Sequence, residues 1–161
     1  MGNSNSIFDI LTPVDFLYSI EQLFGKYKAE KQKNIESLLF IVMGLTHLRE
    51  WIAPGYQCDG KCKKPPKNDE EKFSKKIYEE HAEFKTIRLL CNKTKHFSKT
   101  KFSTSSLHDL PFDEWTDIDD VRDFDKGPAT DYFVDNRNVI NVISEVINFY
   151  KREWFIKRTK T

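Results

Sequence analysis

Residues 34–52 restrict the fold more than any other stretch, because they are apolar nearly all round a helical period. One helical side carries Ile35, Leu38, Leu39, Val42 and Met43, a second carries Ile41, Leu45, Leu48 and Ile52, and a third strip carries Phe40, Gly44, His47 and Trp51. A helix with so little polar surface must be covered by several neighbours, so the pattern predicts the central helix of a bundle. Gly44 would let a neighbouring backbone approach closely, and Ala53-Pro54-Gly55 ends the helix.

One more helix is predicted before residues 34–52 and another after them. Thr12-Pro13 is typical of a helix start, and apolar residues at helical spacing follow it as far as Tyr27. The segment 26–33 is strongly charged and predicts either a turn or a continuous helical link. After a Gly- and Pro-containing loop, Asn68 or Asp69 is expected to cap a third helix, which runs to about residue 95.

The C-terminal part predicts a small β element and a last helix. Residues 96–102 alternate as in a short strand, and residues 103–106 predict a loose connection. Residues 114–124 and 129–134 flank a Lys-Gly-Pro turn, which indicates a β-hairpin. Asp135-Asn136 is expected to cap the last helix. The apolar face of that helix carries Val139, Ile143, Val146, Ile147, Tyr150 and Trp154.

These elements predict a mainly α fold, a four-helix up-and-down bundle with a small β-hairpin inserted before the last helix. A length of 161 residues fits one domain. We therefore expect a flexible N-terminal segment over residues 1–12 and a single helical-bundle domain over residues 13–161. Hydrophobic residues make up 39% of the chain, which argues for a packed core although 32% of the residues are charged.

Charge is unevenly distributed although the net charge is only +1. Residues 61–101 hold thirteen Lys or Arg against six acids, residues 107–135 hold ten acids against two bases, and residues 150–161 hold five bases against one acid. The basic segments favour contact with a polyanion such as RNA or a nucleotide. The acidic segment could instead neutralise them within one molecule, or it could bind a protein partner at the hairpin.

Three cysteines are too few for a disulfide framework, which favours a reducing compartment. Cys58 and Cys62 could form half of a zinc site, but a structural site needs four ligands, so a disulfide or two thiols is the favoured interpretation. We expect no cofactor. Neither a cationic apolar leader nor an apolar run of about 18 residues is present, so a cytoplasmic protein that does not enter the membrane is expected.

A polar stripe on the predicted third helix is the main candidate site. Arg88, Asn92 and His96 recur every four residues, with His81 and Lys85 in the same sector. The neighbouring sector is apolar and carries Phe73, Ile77, Phe84, Ile87 and Cys91. The stripe is therefore expected to lie along the edge of the buried face.

Two interpretations of the stripe remain open. Half-buried Arg and His side chains are unfavourable unless paired, so Glu50 or Glu83, with His47, could join the stripe in a polar network between helices. Alternatively, the stripe could carry phosphodiester chemistry without a metal. Its histidine would then move the proton of a ribose 2′-hydroxyl or of a leaving oxygen, its arginine would stabilise charge on the phosphate, and its asparagine would orient that phosphate.

Asn92-Lys93-Thr94-Lys95-His96 at the end of the third helix of an up-and-down bundle resembles the HEPN superfamily. Many members are metal-independent ribonucleases of bacterial toxin–antitoxin and phage-defence systems, with an active site assembled from two chains. The resemblance covers mainly helices two to four and implies a homodimer that acts on or binds RNA. The site residues it implies are Arg88, Asn92 and His96, with His47, Lys93 and Lys95 in support.

This chain departs from the family pattern at one position. The pattern places an arginine immediately before the asparagine, where this chain has Cys91, and a thiol cannot replace a guanidinium. Three explanations are open: Arg88 acts from one helical turn earlier, Lys93 or Lys95 takes the place of the arginine, or the site is inactive. The chain also resembles small uncharacterised bacterial proteins, through the combination of His47-Leu48-Arg49-Glu50-Trp51, Asn92-Lys93-Thr94-Lys95-His96 and the predicted hairpin before the last helix. The alternative function is therefore a non-catalytic interaction module.

Overall fold

The computed structural model describes residues 10–56, 65–95, 102–105 and 131–156. The helices within these stretches are α1 (Pro13–Ala29), α2 (Ile35–Ile52), α3 (Asp69–Glu80), α4 (Ala82–Lys95) and α5 (Val139–Tyr150), which continues as a π-helical turn over Lys151–Phe155. The strands are β1 (Phe102–Ser105), β2 (Asp131–Val134) and β3 (Arg137–Asn138). The predicted fold class, a mainly helical bundle with a small β element before the last helix, is confirmed.

The first two helices begin at the residues that the sequence indicated. The Thr12 hydroxyl accepts a hydrogen bond from the Asp15 N–H at 3.2 Å, and the Asp15 carboxylate accepts one from the Thr12 N–H at 2.9 Å. This reciprocal pair satisfies two N–H groups that a helix start leaves without partners. Asn34 caps α2 in the simpler way, because its side chain accepts from the Ser37 N–H at 2.9 Å.

Lys33 closes the C-terminal end of α1. Its side chain is only 6% exposed, and its ammonium donates to the carbonyl oxygens of Tyr27 at 3.1 Å and Lys28 at 2.9 Å, and also to that of Glu30. The positive charge complements the negative end of the helix dipole, and three ammonium protons meet three carbonyls. The charged segment 26–33 is therefore a helix end followed by a turn, and not a continuous helical link.

Helix α2 lies at the centre, in contact with α1, α3, α4 and α5. At Gly44, an added Cβ would lie only 3.0 Å from the Ile20 side chain, so the glycine allows α1 to approach closely. The Tyr150 hydroxyl of α5 donates to the Leu45 carbonyl at 2.9 Å. All six residues of the predicted apolar face of the last helix are buried.

The predicted third helix is two helices, because the chain breaks at His81. Helix α3 ends at Glu80, His81 has extended backbone angles (φ −102°, ψ 103°), and α4 begins at Ala82. Neither glycine nor proline lies at the break. The buried positions of α3 and α4 keep one helical spacing across it, so periodicity predicted a single helix.

Strand β2 is the middle strand of a three-stranded antiparallel sheet, with Val134 opposite Phe102 of β1 and Arg137 of β3. Asp135 and Asn136 form the turn between β2 and β3, and both have positive φ (48° and 61°). A two-residue turn of this type matches the twist of the two strands that it joins.

The predicted β element is corrected at two points. Asp135-Asn136 does not cap the last helix; Asn138 does, since its side chain accepts from the Ile140 N–H at 2.8 Å. Residues 103–105, expected to be a loose connection, belong to β1. Strand β2 falls within the predicted arm 129–134. The other arm, its Lys-Gly-Pro turn and residues 96–101 lie outside the described residues.

Candidate functional site

The edge of α4 carries two of the predicted site residues. Arg88 and Asn92 lie four residues apart and both are half-buried. Beside them, the side chains that face the core are Phe84, Ile87, Leu90 and Cys91. The structure thus places the arginine and the asparagine on one side of α4, at the border between core and surface, as the helical spacing indicated.

The guanidinium of Arg88 lies over the ring of Tyr78 from α3, with its Cζ atom 4.7 Å from the ring centroid. Arg49 of α2 contacts the same ring at 5.4 Å and the Phe84 ring at 5.9 Å, although Arg49 is only 5% exposed. Cation–π contacts of this kind hold a guanidinium in place. Tyr78 therefore joins three helices and steadies Arg88. The helical pattern marked neither Tyr78 nor Arg49 as part of a site.

The two acids that the sequence offered to the stripe bind other bases. Glu50 lies next to His47 on α2, with Oε2 3.0 Å from the imidazole Nδ1. Glu83 of α4 accepts a hydrogen bond from the Arg137 guanidinium at 2.8 Å. Partial burial opposes ionisation of Glu83, but hydrogen bonds from its own backbone N–H and from Arg137 hold its pKa below the ordinary value. His47 thus pairs along its own helix.

His81 and Lys85 do not extend the stripe. His81 precedes α4, and its Nδ1 accepts a hydrogen bond from the Phe84 N–H at 3.2 Å. Burial lowers the pKa of His81 from its ordinary value, and Glu83 opposes this shift. Lys85 is exposed and donates to the Glu79 carbonyl at 2.9 Å, so it turns toward the end of α3.

Several predicted residues lie beyond what the structure describes. His96, Cys58 and Cys62 fall outside the described residues, while the backbone of α4 extends through Lys93 to Lys95, directly before His96. Cys91 has no exposed surface, so the position at which the family pattern expects arginine faces the core. Within the four described stretches, no group of three or more His, Cys, Asp and Glu side chains could hold a metal ion.

One side of α2 is not covered by the other helices that the structure describes. Glu36, Leu39, Phe40 and Met43 line a cavity of about 340 Å³ on this side, and Phe40 is 65% exposed. We call these four residues the α2 patch. Gly44, which the sequence placed in one strip with Phe40, is instead buried. The sequence showed that α2 was apolar all round but not which side would stay open.

Basic side chains at two of the charged segments form ion pairs with acids. On α3, Lys72 pairs with Asp69 at 3.0 Å and Lys75 with Glu79 at 3.8 Å. Pairs between elements are Lys76 with Glu153 at 2.9 Å and Lys151 with Glu21 at 2.8 Å. Much of the basic charge on α3 and on the π-helical turn is therefore balanced by acids nearby.

Comparisons with known proteins found no relative of this chain. No family model matches the chain, and neither the curated proteins nor the solved structures contain a match. Among the described helices, none combines the length and the apolar character needed to cross a bilayer. A functional proposal for this chain therefore depends on the geometry of α4 and of the surfaces around it.

Proposed function

We propose that the protein is a cytoplasmic, HEPN-like, homodimeric module that acts on RNA, with Arg88, Asn92 and His96 as its site. The proposed reaction is metal-independent cleavage of the phosphodiester backbone. In this reaction His96 moves the proton of the 2′-hydroxyl or of the leaving oxygen. Arg88 stabilises the charge that develops on the phosphate, and Asn92 orients the phosphate.

The placement of Arg88 carries this proposal. Arg88 and Asn92 are half-buried on one side of α4, and α4 runs to the residue before His96. A guanidinium that is held by an aromatic ring loses less conformational freedom when it binds a phosphate. The contact with Tyr78 at 4.7 Å supplies such support.

The same geometry favours one of three explanations for the missing arginine. An arginine at position 91 would point into the core, because Cys91 is fully buried. Arg88, one helical turn earlier, is the nearest guanidinium on the exposed side of α4. In this proposal Arg88 therefore takes the role of the family arginine, and Lys93 and Lys95 add positive charge to the last turn of the helix. His47 remains a supporting residue on α2.

A cleavage assay in EDTA tests the proposal. Purified protein is incubated with single-stranded and structured RNA, beside the variants His96→Ala and Arg88→Gln. The matched control is Arg152→Gln, which removes an exposed guanidinium that pairs with Glu153 in the π-helical turn. Cleavage that persists in Arg152→Gln and is lost in the two site variants supports the enzyme. Equal cleavage by all four proteins, or none by the wild type, would exclude it.

The α2 patch favours a second candidate function, a non-catalytic interaction module of a defence or toxin–antitoxin system. Phe40 is an exposed aromatic side chain beside Leu39 and Met43, and protein interfaces are enriched in such apolar groups. A second copy of the chain or a protein partner could cover the patch, and a partner could also bind the acidic segment. Intact RNA together with a change of oligomeric state in Phe40→Ser would favour this function over the nuclease.

A further inference from the structure

The first turn of α4 depends on an imidazole nitrogen. His81 precedes the helix, and its Nδ1 accepts the N–H of Phe84, the third residue of α4. The other described helices are capped by oxygen atoms that do not titrate, those of Thr12, Asn34, Asn68 and Asn138. Among the described helix starts, that of α4 is therefore the one capped by an imidazole, whose ability to accept a hydrogen bond is lost on protonation near neutral pH.

The same Nδ1 atom has a second partner that requires the opposite protonation state. It lies 3.4 Å from Oε2 of Glu83. A nitrogen that accepts the Phe84 N–H carries no proton, so the neutral ring has its hydrogen on Nε2. A nitrogen that binds the carboxylate must carry a proton and can no longer accept from the backbone. One atom thus has two contacts that exclude each other.

The charged groups around His81 come from several elements. Glu83 belongs to α4, Glu145 to α5 and Arg152 to the π-helical turn, and the Phe149 ring of α5 packs edge-on at 4.4 Å between ring centroids. Burial lowers the pKa of His81, the two glutamates oppose this shift, and Arg152 adds to it. The neutral ring is consequently favoured at neutral pH.

Two further bases act on these neighbours. Arg137 of β3 donates to Glu83 at 2.8 Å, and Lys76 of α3 lies 5.9 Å from the centroid of the Phe149 ring. Glu83 is therefore shared between the sheet and the start of α4. Arg137 donates to Oε1 and the His81 contact is with Oε2, so the carboxylate can accept from both bases when His81 is charged.

We propose that His81 is a proton-operated cap, which holds the first turn of α4 when neutral and releases it when protonated. Protonation removes the only lone pair that Nδ1 offers to the Phe84 N–H and redirects Nδ1–H to Glu83. The start of α4, from His81 to Phe84, then opens in acid. This segment lies four to eleven residues before Arg88 and Asn92 in the sequence. The proposal depends on the α3–α4 junction alone and stands whether or not the protein cleaves RNA.

The experiment is an NMR titration of the full chain from pH 8 to pH 5. At pH 8 we expect the His81 ring to carry its hydrogen on Nε2, and the Phe84 amide to be protected from exchange with solvent. Between pH 7 and pH 5 we expect the protection of Phe84 to fall at least tenfold, after correction for intrinsic exchange, and to follow the titration of the His81 ring. The Glu71 amide is the internal control, because the Asn68 side chain caps it at 2.8 Å in the same helical position.

The variant His81→Asn keeps a cap but cannot titrate. It should fold, and the protection of its Phe84 amide should be as independent of pH as that of Glu71. The proposal is overturned if the wild-type ring carries hydrogen on Nδ1 at pH 8, if Phe84 keeps its protection when His81 is charged, or if His81→Asn shows the same loss as the wild type. The ring tautomer at pH 8 is measured in the folded protein, so hydrogen on Nδ1 would overturn the proposal even if the chain unfolds in acid.

Discussion

On one side of α4, Phe84, Ile87 and Cys91 are completely buried, whereas on the other side Arg88 and Asn92 keep part of their surface exposed. The buried side lies in the main hydrophobic core, together with α2 and α5. The open side contacts an aromatic ring of α3 through Arg88. Both sides belong to one helix, yet the surroundings of their residues differ in polarity and in packing.

This difference separates what folds the helix from what the helix can do. Burial of the apolar side fixes the position of α4, because each buried side chain contributes roughly 1.5–3 kcal/mol. Arg88 and Asn92 on the open side are only half-buried, so they bury less surface than the residues of the buried side. Substitutions on the buried side should therefore change stability, and those on the open side should change function.

The largest effect is expected when arginine is introduced at the position where the family pattern has one. Cys91→Arg places a long charged side chain at a site with no exposed surface, and an unpaired buried charge destabilises a protein by about 3–5 kcal/mol. Urea denaturation should show this loss, and Cys91→Ala, which adds no charge or volume, should lose less. Wild-type stability together with increased RNA cleavage in Cys91→Arg would mean that position 91 belongs to the open side.

A smaller loss is expected from truncation on the same side. Ile87→Ala removes buried methyl and methylene groups and leaves a cavity, which should lower the free energy of unfolding by about 2–4 kcal/mol. Leu89→Ala is the matched control, because Leu89 lies on the same helix but is half exposed. The comparison of the two sides would fail if both substitutions had the same effect in thermal or urea unfolding.

The sequence predicted the packed parts of this molecule better than the break at His81. Periodicity located α1, α2 and α5, because a buried face of a helix requires apolar residues at fixed spacing. It could not detect the division between α3 and α4, since apolar positions continue at the same spacing on both sides of His81. Asp135-Asn136 was misjudged for another reason: these residue types favour both helix caps and turns with positive φ, and local sequence does not separate the two.

The candidate site was also predictable only in part. The spacing of Arg88 and Asn92 placed both on one edge of the helix, since a single element determines that arrangement. Contacts between elements were not predictable, because they depend on how the helices pack. Arg88 binds the ring of Tyr78, whereas Glu50 and Glu83 bind His47 and Arg137.

On the open side, substitution should change activity more than stability. Arg88→Gln removes a cation–π contact with Tyr78, and such a contact contributes about 0.5–1 kcal/mol at a partly exposed site. We therefore expect its urea midpoint to stay close to that of the wild type while RNA cleavage falls by about 100-fold or more, as for the loss of a group that stabilises transition-state charge. A loss of stability as large as that of Ile87→Ala would instead assign Arg88 to the structural network between helices.

The smallest effect concerns the start of α4, and its sign follows from proton binding. The pKa of His81 is lower in the folded protein than its ordinary value of about 6.5, because burial disfavours the charged ring. The unfolded chain then binds more protons than the folded chain as the pH falls below about 6.5, so the free energy of unfolding decreases.

Urea unfolding at pH 7.5 and at pH 5.5 should show this decrease in the wild type and in His47→Asn, a control that removes the histidine of α2. In His81→Asn the decrease should be smaller, since this variant cannot take up the proton. The interval lies above the ordinary range of carboxylates, which separates His81 from Glu83, whose lowered pKa makes its own contribution disappear only in stronger acid. If His81→Asn loses as much stability as the wild type over this interval, the proton that weakens the fold binds elsewhere, and the start of α4 does not respond to pH.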